Sequence, residues 1–126
     1  MDLFALASQK NAWLSARLGV IAANVANAAT PGYRAREVVP FRVVLENEGL
    51  QMARTHAAHF NLLGAEGPAR PETREIVDAR KSHSGNTVAL EDELMKGAES
   101  VRAYRLNTSL VRTFHRMVLQ ALKDGL

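Results

Sequence analysis

Residues 23–33 read Ala23-Asn24-Val25-Ala26-Asn27-Ala28-Ala29-Thr30-Pro31-Gly32-Tyr33, and an apolar helix pattern beginning near residue 3 runs into them and stops at Thr30-Pro31-Gly32. Pro31 has no N–H to donate and pushes Thr30 away from helical angles, so the helix ends at or before Thr30. Gly32 supplies the permissive backbone that a turn needs. Asn24 and Asn27 lie roughly on one helix face, where their amides compete for nearby backbone groups instead of favouring a helix interior. Asn27 is close enough to the helix end to bond its last free carbonyls. Taken by itself, the stretch is a well-capped helix end.

Upstream of it, residues 2–29 read as one long helix. Phe4, Ala7, Asn11, Leu14, Leu18, Ile21, Val25 and Ala28 recur at alternating spacings of three and four, the seam pattern of a coiled coil. Such a helix is about 40 Å long at ~1.5 Å per residue. Asn11 at a seam position costs stability but fixes register and partner number. Trp13 lies off the seam and reads as an aromatic covering the side of the helix, with packing against a neighbouring chain as the second option.

Downstream, residues 30–86 read as a turn, an extended arm and a mobile middle. Val38 to Leu45 reads as a short strand or an extended arm, with Pro40 arguing against a central strand. Gly64, Gly67, Pro68 and Pro71 break the chain within eight residues. Glu72 to Ser84 mixes charges without a period, and a short β-hairpin somewhere in this middle is compatible with the pattern.

Residues 87–123 form a second long helix. Its seam runs through Leu90, Leu94, Gly97, Val101, Tyr104, Thr108, Val111, His115, Val118 and Leu122, and a second apolar stripe through Ala103, Leu106, Leu110, Phe114, Met117 and Ala121. Asn86 or Thr87 is the N-cap candidate, and Glu91-Asp92-Glu93 reads as a solvated first turn complementing the helix dipole. The fold expected is therefore mainly α, a single domain over 1–126 in which two long terminal helices pair as an antiparallel, coiled-coil-like hairpin. One partner helix covers one seam. Two stripes call for two partners, and the leftover apolar surface marks a site for other chains. A chain loosely folded alone and rigid on assembly is the corresponding expectation.

Composition excludes much. The 126 residues carry a net charge of +3, with 16 basic residues spread among 13 acidic ones, which is not the clustered basic face of a nucleic-acid binder. Arg34, Arg36, Arg42 and Arg54 are interleaved with Glu37, Glu46 and Glu48, so a soluble helical adaptor or nucleic-acid-binding module stands only as the alternative. There is no cysteine, hence no disulfide framework or thiolate metal site. Thr55-His56-Ala57-Ala58-His59 offers two imidazoles but neither His83 nor His115 is near enough in sequence to complete a site. No Ser lies in a nucleophile elbow and no Gly-rich phosphate loop is present. The reading is not an enzyme, with no cofactor, no metal and no small-molecule substrate. Met1-Asp2-Leu3-Phe4 lacks the basic start of a signal peptide, and no run of about 18 apolar residues spans a membrane.

The block Asn24-Val25-Ala26-Asn27-Ala28-Ala29-Thr30-Pro31-Gly32-Tyr33 resembles the signature of the flagellar rod and hook proteins, the axial proteins of the bacterial flagellum. The family often has Asp where this chain has Ala29. Ala53-Arg54-Thr55-His56-Ala57-Ala58-His59 resembles a segment of the proximal rod proteins, where Pro is frequent at position 57. Gly85-Asn86-Thr87-Val88, with Leu90, Glu91, Glu93 and Met95, resembles the start of their C-terminal helix. This resemblance implies a structural subunit of the proximal rod. It would be exported by the flagellar type III apparatus without a cleaved leader and located in the basal body across the periplasm. The implied partners are other copies, other rod proteins, and the inner-membrane ring and export-gate adaptor proteins. Asn24, Asn27, Thr30, Pro31, Gly32 and Tyr33 become the expected interface motif, and Leu14, Leu18, Ile21, Val25, Leu94, Val101, Leu110, Val111, Phe114, Met117, Val118 and Leu122 the expected helix seams.

Overall fold

The computed structural model describes residues 3–48, 71–77 and 82–124. Along the chain run α1 (Leu3–Ala26), β1 (Arg36–Val38), α2 (Phe41–Glu48), β2 (Thr73–Glu75) and α3 (Leu90–Asp124). The His56/His59 pair, the Ala53–His59 landmark, Arg54, and the breaks at Gly64, Gly67 and Pro68 lie outside the described residues.

The protein is mainly helical, and α1 and α3 pack side by side in opposite directions. Asn24 meets Glu93 and Asn11 meets Asn107 through hydrogen bonds, and Phe4 meets Phe114 edge to face at 5.6 Å. Ile21 packs toward Gly97, where its Cγ2 would lie 3.7 Å from an added Cβ. Contacts thus climb α3 as they descend α1. On α1 the seam follows the expected line: Ala7, Leu14 and Ile21 are buried, while Leu18 and Val25 are half-buried.

On α3 the packed face differs from the expected seam. Glu93 and Ser100 are buried, and Gly97, Ala103, Asn107 and Val111 half-buried. The sevenfold steps from 93 to 100 to 107 place them on one ridge, which lies between the two apolar stripes of the sequence. Leu94, Val101, Leu110, Phe114, Met117, Val118 and Leu122 are all exposed in the lone chain. The reason is steric and electrostatic together. Small Gly97, Ser100 and Ala103 let the helices approach closely, and Asn107 donates to both Asn11 Oδ1 and Ala7 O at 2.8 Å, fixing register at a polar seam position.

Helix α1 ends at Ala26 rather than 29, and residues 27–30 continue as tight turns, with Asn27 N donating to Ala23 O and Asn24 O. Helix α3 begins at Leu90, three residues later than expected; Ala89, not Asn86 or Thr87, holds the first helical carbonyl, accepting from Glu93 N at 3.0 Å.

The arm between them folds back onto α1. Strands β1 and β2 pair antiparallel with Arg36 opposite Glu75, Glu37 opposite Arg74 and Val38 opposite Thr73. The stretch 38–45 is not one strand or extended arm. Pro40 ends the strand and its carbonyl accepts from Val43 N and Val44 N, starting α2. β-branched Val43 and Val44 favour a strand in isolation, but Phe41 and Val44 gain burial against Trp13, Leu14 and Val38 only as a helix. Thr73–Glu75 is too short to carry an alternation, so nothing in the sequence marked it.

Trp13 does not cover bare helix side. Its indole packs on Phe41 at 5.9 Å between centroids and donates from Nε1 to Val39 O at 2.8 Å, pinning the arm to α1. Lys10 Nζ sits 4.5 Å from the Trp13 ring and 4.4 Å from that of Phe41. Burial, and then the charge of Arg17, hold its ammonium below the usual 10.5. Because Trp13 is the sole tryptophan, its fluorescence reports docking of the arm. Trp13→Ala is expected to lose about 3–5 kcal/mol in urea unfolding. Trp13→Phe, which keeps the ring but forfeits the bond to Val39, should lose about 1 kcal/mol.

Candidate assembly interface

The expected motif 24–33 is drawn together with a segment more than fifty residues away. Asn24, poorly suited to a helix interior by propensity, is fully buried. Its Nδ2 donates to Arg36 O at 2.7 Å and to Glu93 Oε2 at 2.9 Å, and its Oδ1 accepts from Arg36 N at 3.1 Å. Tyr33 Oη approaches the same oxygen at 3.5 Å. One carboxamide therefore ties α1 to α3 and also pairs with the backbone of β1, much as a further strand would.

Glu93 is a correction to the solvated-first-turn reading. Glu91 and Asp92 are exposed, but Glu93 turns inward, bonded by Asn24 and by Lys96 Nζ at 3.0 Å. Lys96 also reaches Glu37 at 3.8 Å, and Arg17 lies 3.6 Å from Glu37 and 3.8 Å from Glu99. A buried carboxylate is tolerable only with such partners, and this one has an amide and an ammonium.

The turn itself is type II. Tyr33 N donates to Thr30 O at 3.3 Å, Pro31 takes the second position, and Gly32 the third with φ of 71°. Asn27 bonds backward to Ala23 O at 2.8 Å, satisfying a helix-end carbonyl, and its Oδ1 lies 3.2 Å from Thr30 Oγ1. The loop 82–87 closes over the turn: Gly32 N donates to Ser84 O and Thr87 N to Tyr33 O. Gly85, at φ of 80°, stacks on Gly32, so backbone lies against backbone.

Asn86 does what was expected of a cap, but for the other helix. Its Nδ2 reaches the carbonyls of Asn27, Ala28 and Thr30 at 2.9, 3.0 and 2.6 Å, the acceptors of the turn that closes α1. Its Oδ1 accepts from Val88 N at 2.7 Å, and Thr87 Oγ1 accepts from Ala35 N at 2.8 Å. The Gly85-Asn86-Thr87-Val88 landmark and the Asn24–Tyr33 signature are one unit. The sequence signal that could have exposed Glu93, Ser100 and Asn107 is their polar repeat at seven-residue spacing.

Around this rigid junction the apolar stripes of α3 remain uncovered. Leu94 is 59% exposed, Leu106 61%, Leu110 59% and Leu122 62%. Phe4 is near the start of α1 and already faces Phe114 and His115, so the last turns of α3, with Met117, Val118 and Leu122, project beyond it. No described helix is long and apolar enough to cross a membrane. Of the arginines weighed for nucleic acid, Arg34 pairs with Glu75 at 3.0 Å and Arg42 with Glu46 at 3.5 Å.

Residues 11–34 match the family model described as flagella basal body rod protein. A flagellar basal body rod protein FlgB of Agrobacterium fabrum is 40% identical over 98% of this chain and 94% of its own length. FlgB of Cereibacter sphaeroides is 33% identical over 85% of this chain and 83% of its own. FlgB of Salmonella typhimurium is 27% identical over 86% of this chain and 84% of its own.

Asn86→Ala is expected to leave the end of α1 short of donors and to lower stability by about 1–3 kcal/mol. Asn86→Asp, which turns a carboxylate toward the same carbonyls, should lose more, as followed by amide exchange of residues 23–30. In Gly32→Ala the added Cβ meets nothing within 4 Å. Its expected loss of about 1 kcal/mol in thermal unfolding is therefore backbone strain alone.

Proposed function

The chain belongs to the family of flagellar basal body rod proteins named FlgB, structural subunits of the flagellar rod, and on that premise we propose that it transmits torque by helix packing alone. The observation that supports this is the exposure of the apolar stripes of α3, which flank the ridge that α1 occupies. Neighbouring chains, copies of this one or other rod proteins, complete the burial on either side. The polar junction around Asn24 and Asn86 holds α1, α3 and the arm in fixed relation, so each subunit passes rotation on as a stiff body. Thr30, Pro31, Gly32 and Tyr33 present the turn to a neighbour.

The same reading places the subunit in the proximal rod across the periplasm, reached through the flagellar type III export apparatus without a cleaved leader. Inner-membrane ring and export-gate adaptor proteins are its contacts at the base. The rival, a soluble adaptor or nucleic-acid-binding module, is not favoured by the family assignment.

Deletion of residues 115–126 separates the two readings. It spares the hydrogen bonds of Asn24, Asn86 and Asn107, so the helical circular dichroism of the purified chain should fall only in proportion to the residues removed. Incorporation into purified basal bodies and swimming motility should be abolished. Met117→Glu, an exposed position, should do the same at full length. Normal motility in both would defeat the proposal, and a change in nucleic-acid binding with flagella intact would favour the rival.

A further inference from the structure

Helix α3 is electrically lopsided. Glu91, Asp92, Glu93 and Glu99 outnumber Lys96 in its first three turns, whereas from Ser100 onward it carries Arg102, Arg105, Arg112, Arg116 and Lys123 against one acid, the terminal Asp124. The helix dipole accounts for acids in the first turn and for Lys123 in the last, but its effect is confined to those turns. Arg105 and Arg112 lie well inside the helix and need another explanation. Among the described residues, Arg105, Arg112 and Arg116 have no acidic partner within ion-pair distance. Their spacing of seven and four puts them on one face. There they line an open groove of about 450 Å³ with Tyr104, Thr108 and Ser109.

At the other end Glu91 and Asp92 are exposed, also without a described ion-pair partner, beside exposed Leu94 and Met95. Leu106 and Leu110, from the same turns of α3, are exposed. Lys96 at the acidic end is paired with Glu93 and Glu37, so each end offers apolar side chains with charges of one predominant sign that have no described ion-pair partner, and those signs are opposite. We propose that the acidic start of α3 in one copy lies along the arginine-lined groove on the second half of α3 in the next copy, head to tail. The two helices then run in the same direction, displaced by ~30 Å, the axial distance from Asp92 to Arg112 at about 1.5 Å per residue. A displaced, parallel contact of this kind does not close on itself and adds copies in a line. This inference deepens the rod-subunit reading and rests on it.

The absence of cysteine allows a direct test on the full-length purified chain. Met95→Cys and Thr113→Cys variants, whose positions fall within about two residues (~3 Å) of the same level at that displacement, are mixed under mild oxidation, and the disulfide between the two is quantified at low salt. The mixed disulfide is expected to dominate over either homodimer and to fall at least about tenfold near 1 M salt, where charges are screened beyond ~3 Å. Arg112→Glu with Arg116→Glu, placed in the Thr113→Cys copy, should lower it similarly. Glu91→Lys with Asp92→Lys in the Met95→Cys copy should then restore it, a rescue that unfolding cannot mimic.

A disulfide yield indifferent to both reversals overturns the proposal. So does growth that stops at a dimer in sedimentation, which means an antiparallel, closed pair. If the arginine reversal instead releases the chain from phosphatidylglycerol vesicles and leaves the disulfide unchanged, the groove serves a lipid surface and the proposal fails. The rod-subunit reading is scored separately: reversals that fail in the tube while the 115–126 deletion still abolishes incorporation defeat the head-to-tail contact alone.

Discussion

A single buried carboxamide, that of Asn24, is the constraint from which the rest of the structure follows. Removing an amide from water without partners costs several kcal/mol, so its donors and acceptor must all be met inside the fold. Arg36 and Glu93 meet them at 2.7–3.1 Å. That requirement sets the distance between α1 and α3, the rotation of α3 about its own axis, and the place where the arm crosses. A hydrophobic contact would tolerate sliding and rotation. A bidentate pairing with backbone at Arg36 and a carboxylate at Glu93 does not.

The rotation has a consequence at the surface. Turning Glu93, Ser100 and Asn107 toward α1 aims the leucines and Met117 to either side of the contact. The ridge of α3 that meets α1 is polar or small for most of its length, while the flanking stripes left exposed are apolar. For a structural subunit of a rod this division is apt. Polar groups fix the shape of each copy, and the hydrophobic effect, which is non-directional and grows with area, favours joining copies together. The junction of the 24–33 turn with loop 82–87 ties the two segments through backbone hydrogen bonds, and Gly32 and Gly85 supply the positive φ angles that both turns require.

How much of this the sequence disclosed differs from element to element. The seam of α1 was legible because Ala7, Leu14 and Ile21 are both apolar and buried, so pattern and packing coincide. The seam of α3 was misread for the converse reason. Its packed ridge is polar or small, and hydrophobic periodicity points only to what lies beside it. Asn86 was recognised as a capping residue but given to the wrong helix, since a cap is sought in the residues next to it and this one acts across 56 to 59 positions. Helix α2 was hidden by the strand preference of paired valines.

Length, charge pattern, the stop at Thr30-Pro31-Gly32, and the two long helices were settled by the chain itself, because backbone sterics and apolar periodicity act locally. Which face of α3 meets α1, the burial of Glu93, and the grip of Asn86 on the end of α1 were decided only in three dimensions. Those choices depend on satisfying buried polar groups with partners remote in sequence. No local rule can name such partners, because each one is chosen by the shape that all of them together produce.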